Sequence, residues 1–128
     1  MRLLVDTHAL IWYVDQDHLL SQPAHAAITD PSNELLLSAA SVWEIAIKVG
    51  MGKLTLSGPF RAWMQKAQAD LGTTLLPITV EHADEQTRLP NHHRDPFDRM
   101  LLAQAIIEQL TPVSTDTTFD QYGVTRVW

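Results

Sequence analysis

Apolar residues along the chain fall into short unbroken runs separated by longer stretches with helical spacing. Leu3–Val5 and Leu35–Leu37 lack polar alternation, the pattern of strands buried on both faces. "TTLLPI" and "PVST" read the same way, and "VTRVW" supplies a last candidate strand. Between these runs, Thr7–Val14 reads as a helix with Asp6 as its N-cap. After the turn "DPSNE" and the second strand, a helix begins near Ser41 and stops before Gly50. Gly58 and Pro59 open another that reaches about Leu71, and Thr79 starts a short one to Leu89. "PNHHR" is loop, and Asp95–Leu110 is the longest helix. Apolar strands alternating with helices predict an α/β fold whose mainly parallel sheet is covered on both sides. No repeat, low-complexity tract or linker interrupts the pattern, so residues 1–128 read as a single domain.

Composition narrows the chemistry. A chain of 128 residues with 45% apolar residues can bury a sizeable core. No apolar run is long enough to cross a bilayer, and Asp6 breaks the first one too early for a secretory leader, so a soluble, cytoplasmic protein with no membrane partner is expected. With no cysteine, disulfides, thiolate nucleophiles and thiolate metal sites are excluded. Any metal must be held by carboxylate oxygen or imidazole. A net charge of −6 argues against broad electrostatic capture of nucleic acid, so positive charge must be supplied locally.

Ligands of open parallel sheets bind beyond the carboxyl ends of the strands. Asp6 follows the first strand directly, Asp116 follows "PVST", and Glu44 lies early in the helix after the second strand. Asp98 occupies the first turn of the longest helix, with Leu102 and Ala105 on its stripe. Each acid also has a structural use. Asp6 can cap a helix, a role worth ~1 kcal/mol. Glu44 stands four residues before Lys48, but its helix is apolar nearly all round and therefore expected to be buried, where a carboxylate needs a strong partner. Asp95 before Pro96 is a helix start, Asp116 can cap a short helix, and Asp120 reads as a surface acid. His92 and His93 read as loop residues, with a substrate role left open.

Taken together, the acids are harder to explain structurally. Carboxylates gathered at one sheet edge repel one another and raise each other's pKa unless a cation lies between them. An all-oxygen donor set favours Mg2+, with Mn2+ as an alternative, and such ions suit water activation at a phosphodiester.

"LLVDTHALIW", "SAASVWEIAIK", "HHRDPFDRMLLAQA" and "STDTTFDQYGV" resemble, in order, the four acidic motifs of PIN-domain ribonucleases, specifically the VapC-type toxins. The resemblance spans Leu3 to Val124. It implies a PIN-like fold with a five-stranded parallel sheet and Mg2+-dependent endoribonuclease activity. It carries Asp6, Glu44, Asp98 and Asp116 over as the catalytic, metal-binding cluster. It also implies a homodimer, a VapB-like antitoxin partner and an RNA substrate, tRNA or another structured RNA. Asp6 and Asp98 are expected as direct ligands, with Glu44 and Asp116 holding a second ion or orienting water. Arg94, Arg99 and Lys48 are candidates for gripping phosphate.

Other readings fit less of the chain. A PIN nuclease of RNA processing without a toxin role shares the same residues. A dehalogenase-like phosphatase needs a second acid where His8 stands, and a receiver-like signalling domain needs an Asp after a central strand that "LLLSAAS" does not offer. The apolar segments around Trp43 and Phe60–Met64 are expected to fill the core, a homodimer contact or an antitoxin-docking groove, with the first two favoured for Trp43.

Overall fold

The computed structural model describes residues 1–128. Four parallel strands form one sheet in the order β3-β2-β1-β4: β1 (Arg2–Val5), β2 (Glu34–Ser38), β3 (Thr74–Leu76) and β4 (Thr111–Val113). The central β1 pairs Leu3 with Leu35 on one side and with Thr111 on the other. Six α-helices connect and cover the strands: α1 (Thr7–Asp15), α2 (Gln22–Thr29), α3 (Ala39–Gly50), α4 (Phe60–Leu71), α5 (Val80–Arg88) and α6 (Pro96–Glu108).

The unalternating strands behave as their composition requires. Leu3, Val5, Leu35 and Leu37 point to one face, where they meet Leu10 of α1, Ile45 of α3 and Trp63 and Met64 of α4. Leu4 and Leu36 point to the other, against Leu101 and Leu102 of α6 and Phe119. Side chains alternate across a strand, so a run apolar at every position can only be buried twice over. No helix is long and apolar enough to cross a membrane.

Several expectations need correction. The sheet has four strands, and the fifth is reduced to one parallel bridge between Val113 and Val127. The preceding residues are irregular, and among them Arg126 donates its guanidinium to Asp120 and to the Ser114 carbonyl. α3 starts at Ala39, because Ser38 rather than Ser41 is its cap, accepting from Ala40 N. α2 is an additional helix, capped by Ser21 and burying only Ala24 and Ile28. Trp63 and Met64 are core residues, whereas Trp43 is 61% exposed. Trp43 instead rests edge-on against Phe97, ring centroids 5.7 Å apart.

Candidate metal centre

The carboxyl ends of β1 and β4 are adjacent, and the site is built from their hydrogen bonds. The Asp6 N–H still donates to the Val113 carbonyl, so its backbone belongs to the sheet although its side chain begins α1. One carboxylate oxygen of Asp6 accepts from Thr7 N at 2.7 Å. The other accepts from Ser114 Oγ at 2.8 Å, and that hydroxyl oxygen accepts from Asp116 N at 3.0 Å. Asp6, Ser114 and Asp116 are thereby strung across the two strand ends. Asp116 also caps the 3-10 helix Thr117–Tyr122, accepting from Thr118 N.

α6 brings the third acid. Asp95 is its N-cap and accepts from Phe97 N and Asp98 N, and Pro96 occupies the first turn, where its missing N–H costs nothing. Asp98 is therefore at the third helical position, in the first turn, where the helix dipole favours negative charge. His93 Nε2 lies 2.6 Å from Asp116 Oδ2 and 3.2 Å from Asp98 Oδ2. One ligand-type atom from each of His93, Asp98 and Asp116 fits within 4.8 Å of the others, a spacing a single cation can bridge.

Glu44 forms the buried wall of the site. Its Oε1 accepts from Thr7 Oγ1 at 2.8 Å, and its Oε2 accepts from Lys48 Nζ at 2.5 Å. Thr7 Oγ1 has one proton, given to the carboxylate, so it accepts from Ser41 Oγ at 2.9 Å. The strong partner that burial requires is therefore Lys48 one turn away, together with a hydroxyl on α1.

The electrostatics record an excess of negative charge. Burial, followed by the charges of Asp6, Asp95, Glu44 and Asp116, pushes Asp98 up to about 8. Burial also raises Asp6, against the opposing hydrogen bond from Ser114. Asp116 behaves oppositely: burial acts to raise it, but the His93 and Thr118 hydrogen bonds outweigh that and hold it below the usual carboxylate range. The Glu44 hydrogen bond holds Lys48 above the usual lysine range, outweighing burial, and the charges of Glu44, Asp95 and Asp98 add to the rise. One lysine does not balance this set, whereas hard oxygen donors around a divalent cation would. On that test the residues fit such an ion.

The expected residues are thus distributed unequally. Asp98 and Asp116 come together, Asp6 is joined to Asp116 through Ser114, and Glu44 is paired with Lys48. His93, read as a loop residue, is central. Its only signal in the sequence is that "HHRDPFD" places it two residues before the helix cap. Arg99 is not free for phosphate: its guanidinium donates to the carbonyls of Gln86, Leu89, Pro90 and His93. Arg94 is exposed, and no ion pair uses it.

Comparison with known proteins identifies relatives. The PIN domain family model matches residues 3–124. Ribonuclease VapC22 of Mycobacterium tuberculosis is 30% identical over 105 residues, covering 81% of this chain and 78% of that protein. Ribonuclease VapC16 of the same organism is 41% identical over 58 residues, which are 45% of this chain and only 40% of that protein. Among solved structures, VapBC2 from Rickettsia felis, bound to a DNA fragment from its promoter, matches with a TM-score of 0.72 at 12% identity, covering 98% of this chain and 96% of that one. VapBC-1 from nontypeable Haemophilus influenzae matches at 0.68 and 13% identity, covering 98% and 96%. At such identities the structural matches speak for the fold alone.

Proposed function

Because this chain belongs to the PIN domain family, we propose that it is a divalent-metal-dependent endoribonuclease, the toxin of a VapBC-type toxin–antitoxin pair. The observation that carries the reading is the convergence of Asp98 and Asp116 at one strand edge, with Asp6 tied to Asp116 through Ser114. Mg2+, or Mn2+ in its place, would supply an activated water and neutralise charge on the scissile phosphate. Asp98 and Asp116 would hold the ion. Asp6, fixed by two hydrogen bonds at the end of the central strand, would complete the acidic set, and Glu44 sets the position of Thr7 at the start of α1. Arg94, the free cation beside these acids, grips phosphate.

Residues 1–128 act as one domain in this reading, and two copies pair. The exposed Trp43 and Ile78, which share an apolar groove of about 280 Å³ with Phe97 and Met100, support a homodimer contact there. A VapB-like antitoxin is the second partner, its arginines attracted by the acidic edge. The decisive experiment is to purify the chain free of partner, add Mg2+ to total cellular RNA and sequence the new ends. Discrete ends that vanish with chelator and with Asp98→Asn are expected. Cleavage indifferent to both would overturn the assignment. Co-expression with the neighbouring small gene should suppress cleavage, and Trp43→Glu should shift the protein to monomer in sedimentation.

A further inference from the structure

His93 stands between two carboxylates, so it can act toward a cation in three ways: as a ligand through its Nε2 lone pair, as a proton-bearing plug to be displaced, or as a donor that holds a ligand in place. The backbone decides among them. His93 Nδ1 accepts the Asp95 N–H at 3.1 Å, which requires a bare Nδ1 and leaves the proton of a neutral ring on Nε2. An Nε2–H cannot ligate, so the ring gives a hydrogen bond to Asp116 at 2.6 Å. The loop is locked in this orientation. The Tyr122 hydroxyl accepts from His92 N and His93 N and donates to the Pro90 carbonyl, while Arg99 gathers the carbonyls on either side. The imidazole edge also packs on Phe119, which is fully buried. A plug has no need of so many restraints, since it must leave.

We propose that His93 is a positioning residue, whose neutral Nε2–H fixes the Asp116 carboxylate beside Asp98 at the spacing a divalent cation requires, and which stays in place when the ion binds. The inference rests on the metal-dependent reading above and adds a residue outside the four acids. Ligating carboxylates that are themselves hydrogen-bonded bind more tightly, and losing such a partner typically costs roughly 10- to 100-fold in affinity.

The test uses metal alone as the probe. Calorimetric titration with Mn2+ should show His93→Ala weaker by roughly 10- to 100-fold, with His93→Gln, which keeps an amide N–H, recovering most of the loss. Unchanged or tighter binding by His93→Ala would make the ring a spectator or a plug, and a failure of Gln to rescue would remove the donor role; either outcome overturns the proposal. Long-range 1H–15N spectra of the wild-type imidazole provide a measurement that needs no variant. The Nε2–H tautomer should persist on adding Mg2+, and a switch to Nδ1–H would make His93 a ligand and defeat the idea. Asp98→Asn separates the two levels: if it binds Mn2+ as wild type does, the metal centre itself is misplaced, whatever His93 does.

Discussion

The molecule contains two imidazoles wired almost identically, and their difference separates a structural contact from a functional one. His82 lies in the first turn of α5, where its Nδ1 accepts Thr79 N at 3.0 Å and its Nε2 meets Glu108 at 3.0 Å. His93 likewise accepts a backbone N–H on Nδ1 and meets carboxylate through Nε2. Yet His82 is fully buried and faces one acid, and it completes a reciprocal cap with the Thr79 hydroxyl. Around it, Gln104 donates to the Pro77 carbonyl, and the polar groups serve to join α5 to α6. His93 is partly open and faces two acids, with Asp6 linked to one of them through Ser114. One N–H can satisfy one carboxylate, but a surplus of carboxylates leaves work for a cation.

The largest test of this contrast is catalytic. Asp98→Asn should reduce RNA cleavage on the order of a hundredfold or more, because it removes a carboxylate that would hold the ion, and the activated water and charge stabilisation that ion supplies are worth at least that much. Glu108→Gln, the equivalent change beside His82, should leave cleavage per folded molecule unchanged, and Asp95→Asn should retain most of it, since Asn still caps a helix. Initial rates at saturating Mg2+ measure all three. An inactive Glu108→Gln variant would erase the distinction between the two histidines.

Stability should respond in the opposite sense. His82→Ala removes a fully buried ring and two hydrogen bonds, a loss of about 2–4 kcal/mol, whereas His93→Ala should cost less because its surroundings are partly solvated. Urea unfolding in chelator compares them. Equal losses would show that the His93 loop is as much a part of the core as the joint between α5 and α6.

How much of this was legible in the sequence follows from the range of the signals. Asp6 and Asp116 were readable because one directly follows a short apolar run and the other stands just beyond "PVST", and Asp98 because "DPFD" fixes the helix register locally. Glu44 was readable as a buried acid, and its partner Lys48 lies one turn on. His93 was not readable, because its orientation depends on Tyr122, 29 residues away, and on packing against Phe119. α3 illustrates a second limit. Val42, Trp43, Ile45, Ala46, Ile47 and Val49 make it apolar around its circumference, so periodicity cannot say which side meets the sheet. Trp63 is buried partly because its indole N–H finds Asp15 at 3.0 Å, a contact across 48 residues, and Trp43 has no such partner.

The charge surplus also predicts a pH dependence. An ordinary carboxyl titrates near 4 when unfolded, whereas Asp98 in the metal-free fold titrates at about 8. Its contribution to stability is therefore fully present below about pH 4 and lost progressively as pH rises to about 8. In chelator, Asp98→Asn should raise the melting temperature at pH 8 and have little effect near pH 4. Mg2+ should restore stability in the wild type, by about 2.7 kcal/mol at a hundredfold excess over its dissociation constant, and bind more tightly as pH rises toward 8. Asp6→Asn should blunt that response; an identical Mg2+ response in both proteins would exclude Asp6 from the centre.

The smallest effect concerns the arginines beside each cluster. Arg88, at the end of the His82 helix, is already engaged by Asp84 at 2.5 Å and Glu85 at 2.8 Å. Arg94, next to His93, is exposed and has its guanidinium free. An anionic substrate approaching an acidic edge needs a local cation, and a free guanidinium gives two parallel hydrogen bonds to phosphate without first breaking an ion pair. Arg94→Ala should raise KM by roughly 3- to 10-fold, a binding loss of about 1 kcal/mol, with kcat nearly unchanged and the effect shrinking at high salt. Arg94→Lys should recover only part, because an ammonium keeps the charge but not the paired geometry. Arg88→Ala should change neither constant. If both arginines prove equally dispensable, phosphate is held elsewhere, and Lys48, released from Glu44 when the acids are otherwise neutralised, becomes the next residue to test.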